Sequence, residues 1–202
     1  MGAAVSFEKF GFWPASLPTI RAHAVSPKGA MYFHFSSKEE LAHAVIDAQH
    51  HMAMDGLRAI IDDVPVALDA LILASQEMAR QLVVEPIARG GMRLTLEIGS
   101  IRGPVQRPYL DWIESIRVLA ERAAREGDLI EGVDVDALAR FVVGAFTGVQ
   151  TLSDVLYSRS DLYARLTEMW RLLLPAIAAP HALDRVRALA DGEPRKGTEP
   201  VT

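Results

Sequence analysis

A ten-residue stretch near the N-terminus, SPKGAMYFHF at residues 26–35, gathers side chains that can contact a nucleic acid. Lys28 carries a charge that can meet a phosphate, and Tyr32 and His34 end in polar groups that can hydrogen-bond to phosphates or base edges. Ser26, followed by proline, is typical of a helix start, because the hydroxyl caps the helix and proline suits its first position. The stretch therefore predicts a short helix that places these side chains in a DNA major groove.

The same stretch also has a plain structural interpretation, in which its aromatic residues belong to the core. Phe33 and Phe35 are predicted to be core side chains, since phenylalanine has no polar group and is usually buried. Lys28 and Tyr32 are the better candidates for DNA contacts, because both side chains end in polar groups.

The elements that would position these residues are helices, and the predicted fold class is all-α. Alternating runs of β-branched residues are nearly absent, which argues against strands. Apolar residues instead recur every three or four positions, as expected for the buried faces of helices. The clearest series are Leu110, Ile113, Ile116, Leu119 and Ala123, and then Leu138, Phe141, Ala145, Val149, Leu152 and Leu156.

Helix breakers and caps divide the chain into segments. Gly11 ends a first short helix and Ser16 caps a second, whose Leu17 and Ile20 are predicted to face inward. Ser37 begins a capping box for a long helix that reaches about residue 61. Further helices are predicted at 64–83, 86–98, 105–126, 134–157, 160–178 and 181–191.

The composition excludes several classes of protein. The chain of 202 residues has no cysteine, so it has no disulfide framework, zinc–thiolate site or thiol nucleophile, which fits a cytoplasmic location. No uninterrupted apolar run approaches the roughly 20 residues that span a bilayer, and no signal peptide is recognisable. The net charge of −5 argues against a protein coated in nucleic acid but leaves room for a small DNA-binding face.

The chain resembles the tetracycline-repressor family in its N-terminal motif. The matching residues are Leu17, Ile20, Ala24, Lys28, Gly29, Ala30, Tyr32, His34, Phe35, Lys38, Glu39 and Leu41. The run from Lys28 to Phe35 is most similar to the γ-butyrolactone autoregulator receptors of actinobacteria. The resemblance reappears at residues 88–94, 143–150 and 174–177, so it covers most of the chain.

This resemblance implies a transcriptional repressor with a helix-turn-helix unit for operator DNA. It implies a DNA-binding domain at 1–45 and a ligand-binding and dimerisation domain at 46–190. A tail at 191–202 is predicted to be disordered from its Gly, Pro and alternating charges. The first domain is too small for an independent core, so the two domains are expected to share one. The DNA contacts implied are Ser26, Lys28, Gly29, Tyr32, His34 and Lys38.

The resemblance also implies a pocket for a γ-butyrolactone-like effector that releases the repressor from DNA, and a role in controlling antibiotic production. Trp112 is the strongest pocket residue, with an ordinary core tryptophan as the alternative. Apolar lining is expected from Met92, Leu96 and Phe146, and polar contacts from Thr95, Thr147, Gln150 and Thr151. The long helix that begins after Ser37 would transmit movement between the effector pocket and the DNA-binding domain.

A homodimer is expected because the segment 134–157 is apolar on more than one face. Its apolar residues include Val142, Val143, Phe146, Val149 and Leu152, so the helix is either deeply buried or shared with a partner. The segment 160–178 adds further apolar residues. The twofold symmetry of such a dimer would match a pseudo-palindromic operator.

Two departures from the family pattern motivate an alternative function. The chain begins at Met1 where family members carry further residues, including a basic arm, so phosphate contacts would be lost. Val25 stands at the position of the glycine in the family turn, where a β-branched residue is costly if φ is positive. The alternative is a ligand-binding or partner-sequestering pseudo-receptor with impaired DNA binding.

An enzyme, a metal site and a cofactor are not expected. No phosphate loop, nucleophile elbow or pair of carboxylates stands out, so a helical enzyme has little support. His43, Asp47 and His51 share one helix face but lack a fourth ligand, which favours a solvated stripe over a metal site. Arg93 and Glu97 are spaced for a salt bridge within a helix.

Overall fold

The computed structural model describes residues 1–18, 20, 35, 37–99 and 106–192. Within these ranges the chain is helical apart from turns, helix ends and one isolated β-bridge between Leu129 and Ala178. The helices are α1 (Gly2–Phe10), α2 (Lys38–Asp63), α3 (Ala67–Val84), α4 (Pro86–Gly99), α5 (Gln106–Glu126), α6 (Val135–Tyr157), α7 (Leu162–Ile177) and α8 (Pro180–Asp191). The all-α prediction is confirmed. The helix predicted to start at Ser26 and the tail from residue 193 onward lie outside the described residues.

The helices end and begin where the caps and breakers predicted. Gly11 follows α1 with a φ of 74°, and its N–H donates to the Phe7 carbonyl oxygen over 2.8 Å. The Ser37 hydroxyl accepts from the Glu40 N–H over 3.0 Å, which is the serine half of the predicted capping box. Asp134 caps α6 by accepting from the Ala137 N–H over 2.9 Å. These local signals explain why the predicted helix bounds agree with the observed ones to within about one turn.

One compact unit consists of residues Met1–Asp55 and Gln81–Leu110. Its core joins side chains from α1, the residues after α1, the start of α2 and α4: Ala3, Ala4, Phe7, Phe12, Ala15, Ile20, Leu41, Ala42, Val45, Ile46 and Leu94. Leu17 and Phe35 pack against this core, so the predicted inward positions of Leu17, Ile20 and Phe35 are confirmed. Phe33 lies outside the described residues. The unit extends beyond residues 1–45 because α4 contributes to the same core.

Two glycines allow α4 to approach its neighbours closely. A Cβ atom added at Gly90 would lie 2.5 Å from the Ala4 carbonyl oxygen on α1. A Cβ atom added at Gly91 would lie 2.3 Å from the Gln49 Cβ on α2. Real Cβ atoms do not come this close to other heavy atoms, so only glycine lets the three helices pack at these distances.

Replacing Gly90 with alanine is expected to lower the free energy of unfolding by about 1–3 kcal/mol, the usual cost of overpacking. The Ala4 carbonyl is a backbone group and cannot rotate away, so α1 and α4 must move apart. Thermal unfolding followed by circular dichroism measures the effect. A Gly90→Ala protein with the wild-type melting temperature would show that the helices tolerate the methyl group.

The other compact unit consists of Gly56–Arg80 and Asp111–Thr202. Its core contains the fully buried Trp170 of α7, whose indole Nε1 donates to the Ser75 hydroxyl of α3 over 2.9 Å. The other buried apolar side chains of this unit come from five helices and include Leu68, Leu71, Ile72, Ile116, Leu119, Leu138, Leu162, Leu166, Leu174 and Val186. These buried residues of α7 therefore pack within their own protomer.

A polar cluster ties the loop after α5 to α8 in this second unit. The Asp128 carboxylate accepts from Arg185 Nη2 over 2.5 Å, and Arg185 also pairs with Asp69 on α3. The Asp128 backbone oxygen accepts from the Ala179 N–H over 2.7 Å. These bonds hold the α5–α6 loop against the start of α8.

Helix α6 leaves much of its apolar surface exposed in the protomer. Phe141, Leu152 and Val155 project into solvent, as does Leu172 of α7, which is 82% exposed. The sequence predicted that this helix is either deeply buried or shared with a partner. Within the described residues, α6 is not deeply buried. Among the described helices, α6 is also the one that is long and apolar enough to cross a bilayer, by length and composition alone, a test that core helices of soluble proteins also pass.

Candidate functional site

Lys38 is the predicted DNA contact that lies within the described residues; Ser26, Lys28, Gly29, Tyr32 and His34 lie outside them. Lys38 Nζ donates to the Phe12 carbonyl oxygen over 2.8 Å and to the Trp13 carbonyl oxygen over 3.4 Å. It also lies 4.3 Å from the centre of the Phe12 ring, within cation–π range. The first residue of α2 thus holds the turn that follows α1.

The same turn is held from the other side by α4. The Phe12 N–H donates to Glu97 Oε2 over 2.6 Å, and Arg93 Nε donates to Glu97 Oε1 over 2.7 Å. The predicted Arg93–Glu97 salt bridge is confirmed, but its contact with the turn after α1 was not foreseen. We call the contacts of Glu97 and Lys38 with Phe12 the Phe12 clamp.

The glycine that ends α1 makes this approach possible. A Cβ atom added at Gly11 would lie 2.5 Å from Glu97 Oε1, and the φ of 74° is itself unfavourable for residues with a side chain. A glycine at the end of a helix is a sequence signal for a close approach. It does not say which residue approaches, because Glu97 is 85 positions from Phe12 in the chain.

Three predicted effector contacts lie on α4, in the first unit. Thr95 is buried, and its hydroxyl donates to the Gly91 carbonyl oxygen over 2.9 Å, so its hydrogen-bonding capacity is partly used within the helix. Met92 is half-buried and Leu96 is exposed. At 3.6 residues per turn, Thr95 lies about 160° around α4 from Arg93. Thr95 is therefore on the side of α4 that faces away from Arg93, whereas Met92 lies about 100° around the helix from Arg93.

The other predicted effector contacts lie on α5 and α6, in the second unit. Trp112 and Phe146 are both half-buried. On α6 the polar residues form a chain of hydrogen bonds: Gln150 Nε2 donates to the Thr151 hydroxyl over 2.8 Å, and that hydroxyl donates to the Thr147 carbonyl oxygen over 2.7 Å. The Thr147 hydroxyl in turn donates to the Val143 carbonyl oxygen over 2.8 Å.

This chain of bonds leaves an acceptor without a partner. The Thr151 hydroxyl donates its one hydrogen to the Thr147 carbonyl oxygen, so toward Gln150 it can only accept. The Gln150 group at this contact is therefore the amide NH₂. Gln150 is 1% exposed, and its Oε1 has no hydrogen-bond partner among the described residues. A buried acceptor left unpaired costs roughly 1–3 kcal/mol, so a bound molecule with a donor group would gain from pairing with it.

The phenol of Tyr109, near the start of α5, is partly buried, and this burial raises its pKa above the ordinary value. It is therefore a neutral donor at neutral pH. Burial likewise raises the pKa of Tyr163 at the start of α7. Both phenols are uncharged groups suited to an apolar, uncharged ligand or partner.

The described residues contain no group of three or more histidine and acidic side chains that could hold a metal ion. Of the predicted stripe on α2, His51 Nδ1 donates to the Asp47 carbonyl oxygen over 2.7 Å. Asp47 meets His51 through its backbone oxygen rather than its carboxylate, so this contact does not bring two metal-ligating groups together.

Family models match two parts of the chain. Residues 2–45 match the family model described as bacterial regulatory proteins, tetR family, and residues 65–179 match the tetracyclin repressor-like C-terminal domain. The A-factor receptor protein of Streptomyces griseus is 32% identical over 185 residues, which is 92% of this chain. The chain spans 64% of the length of that receptor.

Two solved structures resemble the chain over nearly its whole length. A γ-butyrolactone receptor described as ArpA-like is 31% identical, covers 94% of this chain and 90% of its own, and has a TM-score of 0.81. CprB from Streptomyces coelicolor, solved in complex with its biological operator sequence, is 30% identical, covers 97% and 95%, and has a TM-score of 0.83. The chain belongs to the tetR family of bacterial regulatory proteins.

Proposed function

We propose that the chain is a ligand-responsive transcriptional repressor, which binds operator DNA as a homodimer and is released by a γ-butyrolactone-like effector. The observation that carries this proposal is the likeness, over 94% or more of the chain, to a γ-butyrolactone receptor and to an operator-bound relative. Such a repressor acts in the cytoplasm on chromosomal DNA. Control of antibiotic production is the proposed role, because a related solved structure concerns the molecular basis of that control by bacterial hormones.

The proposed DNA-binding domain is residues 1–45. Its contacts are Ser26, Lys28, Gly29, Tyr32, His34 and Lys38, with Lys38 placed next to the turn after α1. Because two of the three ammonium hydrogens of Lys38 point to backbone carbonyls, this residue has at most one left for a phosphate. The main phosphate and base contacts are therefore assigned to residues 26–34.

The proposed dimer interface is the exposed apolar surface of α6 together with Leu172 of α7. Phe141, Leu152 and Val155 lie along α6 with Gly144 and Gly148, where an added Cβ atom would meet nothing within 4 Å. A continuous apolar stripe with glycines lets a second helix approach closely. An apolar surface of this kind on a regulatory protein is typical of an interface between subunits.

The proposed effector site lies in the domain at 46–190 and uses Trp112, Met92, Thr95, Leu96, Phe146, Thr147, Gln150 and Thr151. The unpaired Gln150 Oε1 supports a ligand with a hydrogen-bond donor, such as a lactone that carries a hydroxyl group. The half-buried side chains of Trp112, Phe146 and Met92 and the exposed Leu96 supply the apolar surface of this proposed site. An effector that changes operator affinity by 5–150-fold needs a coupling free energy of about 1–3 kcal/mol.

Replacing Trp112 with alanine is expected to weaken binding of a 2-acyl-γ-butyrolactone by about 10–100-fold. A large aromatic side chain buried against a ligand contributes about 1.5–3 kcal/mol, and every 1.4 kcal/mol is tenfold in Kd. Isothermal titration calorimetry measures the affinity, and Trp13→Ala is the matched control because Trp13 is an exposed tryptophan outside the site. Equal lactone affinity in the Trp112→Ala and wild-type proteins would remove Trp112 from the site.

The repressor function itself is tested by operator selection. The full chain is incubated with random-sequence duplexes at several salt concentrations, and the enriched sequences are then titrated with and without the lactone. We expect a pseudo-palindromic sequence and a lactone-dependent loss of affinity. Lactone binding without any specific duplex at low salt would instead favour the pseudo-receptor, which binds ligand but not DNA.

A further inference from the structure

We propose that Gln150 and Thr151 make the effector site select a lactone whose side chain carries a hydroxyl group over the matching ketone. Gln150 supplies the oxygen that meets the hydroxyl, and Thr151 is the positioning residue that fixes the orientation of the Gln150 amide. The inference rests on the proposed effector function and goes beyond it, because it states which of two closely related lactones the site prefers.

The Gln150 amide is held in one of its two orientations. A glutamine amide ends in an acceptor oxygen and a donor nitrogen, and a half-turn about its last side-chain bond exchanges the two. Here that exchange would bring Oε1 against the Thr151 hydroxyl oxygen, which has already given its one hydrogen to the Thr147 carbonyl oxygen at 2.7 Å. The NH₂ therefore faces Thr151 at 2.8 Å, and Oε1 is the atom left over.

The orientation of the Thr151 hydroxyl is in turn set by helix α6. A threonine inside a helix bonds readily to the carbonyl oxygen four residues earlier, because that oxygen lies directly beside its hydroxyl. Thr147 makes the same bond to the Val143 carbonyl oxygen over 2.8 Å. The helix backbone thus fixes Thr151, and Thr151 fixes the amide, so the site presents an acceptor and no amide donor.

The stripe of α6 that carries Gln150 faces into the protomer without being fully covered. Val142, Gln150 and Ser153 on this stripe are buried, whereas Phe146, which lies one turn before Gln150, is half-buried. Side chains on a helix tilt toward its N-terminus, so the Gln150 side chain lies toward Phe146. A ligand that displaces the half-buried ring therefore reaches Oε1.

A lactone with an alcohol on its side chain fits this group, and the corresponding ketone does not. The alcohol O–H donates to Oε1, which is buried and has no other partner among the described residues. The ketone has no hydrogen to give, so it brings a second acceptor against the first and leaves both unpaired. A site whose buried polar group pairs with a hydroxyl discriminates strongly against the analogue that lacks it.

The test compares two ligands of the same chain length, a 2-acyl-γ-butyrolactone and the 2-(1-hydroxyalkyl)-γ-butyrolactone, by isothermal titration calorimetry. Both epimers of the alcohol are measured, and the tighter one is used. We expect the ratio of ketone Kd to alcohol Kd to be at least about ten in the wild-type protein. Thr151→Val frees the amide to turn its NH₂ toward the ketone, so the ratio should fall to within about threefold of one. Thr151→Ser keeps the hydroxyl and should keep the wild-type ratio.

Thr167→Val is the matched control. The Thr167 hydroxyl on α7 also donates to a backbone carbonyl oxygen, that of Ala190 over 3.0 Å, and Thr167 is not among the proposed effector contacts. Its ratio should equal that of the wild-type protein. The ratio separates positioning of the amide from a merely structural role of Thr151, because a general loosening of the site weakens both ligands alike.

A ligand series on the wild-type protein decides the matter if Thr151→Val folds poorly. Its third member is the 2-alkyl-γ-butyrolactone, which has neither the hydroxyl nor the keto group, and we expect the alcohol to bind most tightly of the three. A ketone or a 2-alkyl lactone that binds as tightly as the alcohol, or a Thr151→Val protein that keeps the wild-type ratio, overturns the selectivity and leaves the lactone effector standing. Absence of binding by all three overturns the proposed effector class, and the selectivity with it.

Discussion

Replacing Leu152 with arginine is expected to convert the homodimer into monomers and to weaken operator binding at least 100-fold. Leu152 is 62% exposed in the protomer and lies in the apolar stripe of α6. In a twofold interface each substitution occurs twice, so two like charges are brought together in an apolar surface. Burying an unpaired charge costs several kcal/mol, which exceeds what one leucine contributes to an interface.

Operator affinity falls because a monomer has only one DNA-binding domain. In a dimer the second DNA-binding domain binds its half-site at high effective concentration, and the resulting gain in affinity of about 10²–10⁴-fold disappears in a monomer. Sedimentation velocity gives the oligomeric state, and titration of a selected operator gives the affinity. Each measurement is made over a range of protein concentrations, because dissociation of the dimer depends on concentration.

The control for this variant is Val118→Arg. Val118 is an exposed apolar residue on α5, outside the stripe, so it receives the same charge on a surface that is not expected to be shared. It should remain dimeric and bind the operator normally. A dimeric Leu152→Arg protein would mean that the subunits meet through another surface.

Replacing Trp170 with alanine is expected to lower the free energy of unfolding by about 3–5 kcal/mol, the usual cost of removing a large buried aromatic. Trp170 is fully buried in the second unit, so its removal leaves a cavity in the core. Its indole N–H also loses its bond to the Ser75 hydroxyl, although that hydroxyl keeps its own bond to the Ile72 carbonyl oxygen over 2.6 Å. For a chain of this size the melting temperature should fall by roughly 6–20 °C.

Trp13→Ala is the matched control for stability, because it makes the same substitution at a tryptophan that is 59% exposed. Its change should stay at about 0.5–1.5 kcal/mol, because the exposed ring contributes an edge-on contact with Phe12 but fills no buried space. Urea unfolding at equal protein concentration compares the three proteins. Similar losses in the two variants would mean that burial does not set the contribution of Trp170.

Much of the fold could be predicted from the sequence because it depends on local signals. The Ser37 cap and the glycine after α1 marked helix ends that the structure reproduces. The Arg93–Glu97 pair follows from the spacing of one helical turn. The motif from Lys28 to Leu41 was sufficient to indicate the tetR family, which the family models then showed.

The Phe12 clamp and the exposure of the apolar face of α6 could not be predicted in this way. Apolar periodicity indicates that α6 has apolar faces, but it does not distinguish a face buried in the protomer from one left exposed for a partner. Contacts such as Glu97 to Phe12 join positions 85 residues apart, and only the packing of α4 against α1 brings them together.

The sequence by itself determined where the helices begin and end, which family the chain resembles and which pairs meet within one helix. These features depend on residues a few positions apart, whose geometry a helix sets in advance. The tertiary structure decided that α4 holds the turn after α1 and that the apolar face of α6 remains exposed in the protomer. Such long-range choices depend on how all the side chains fill one core together, with Gly90 and Gly91 permitting the approach.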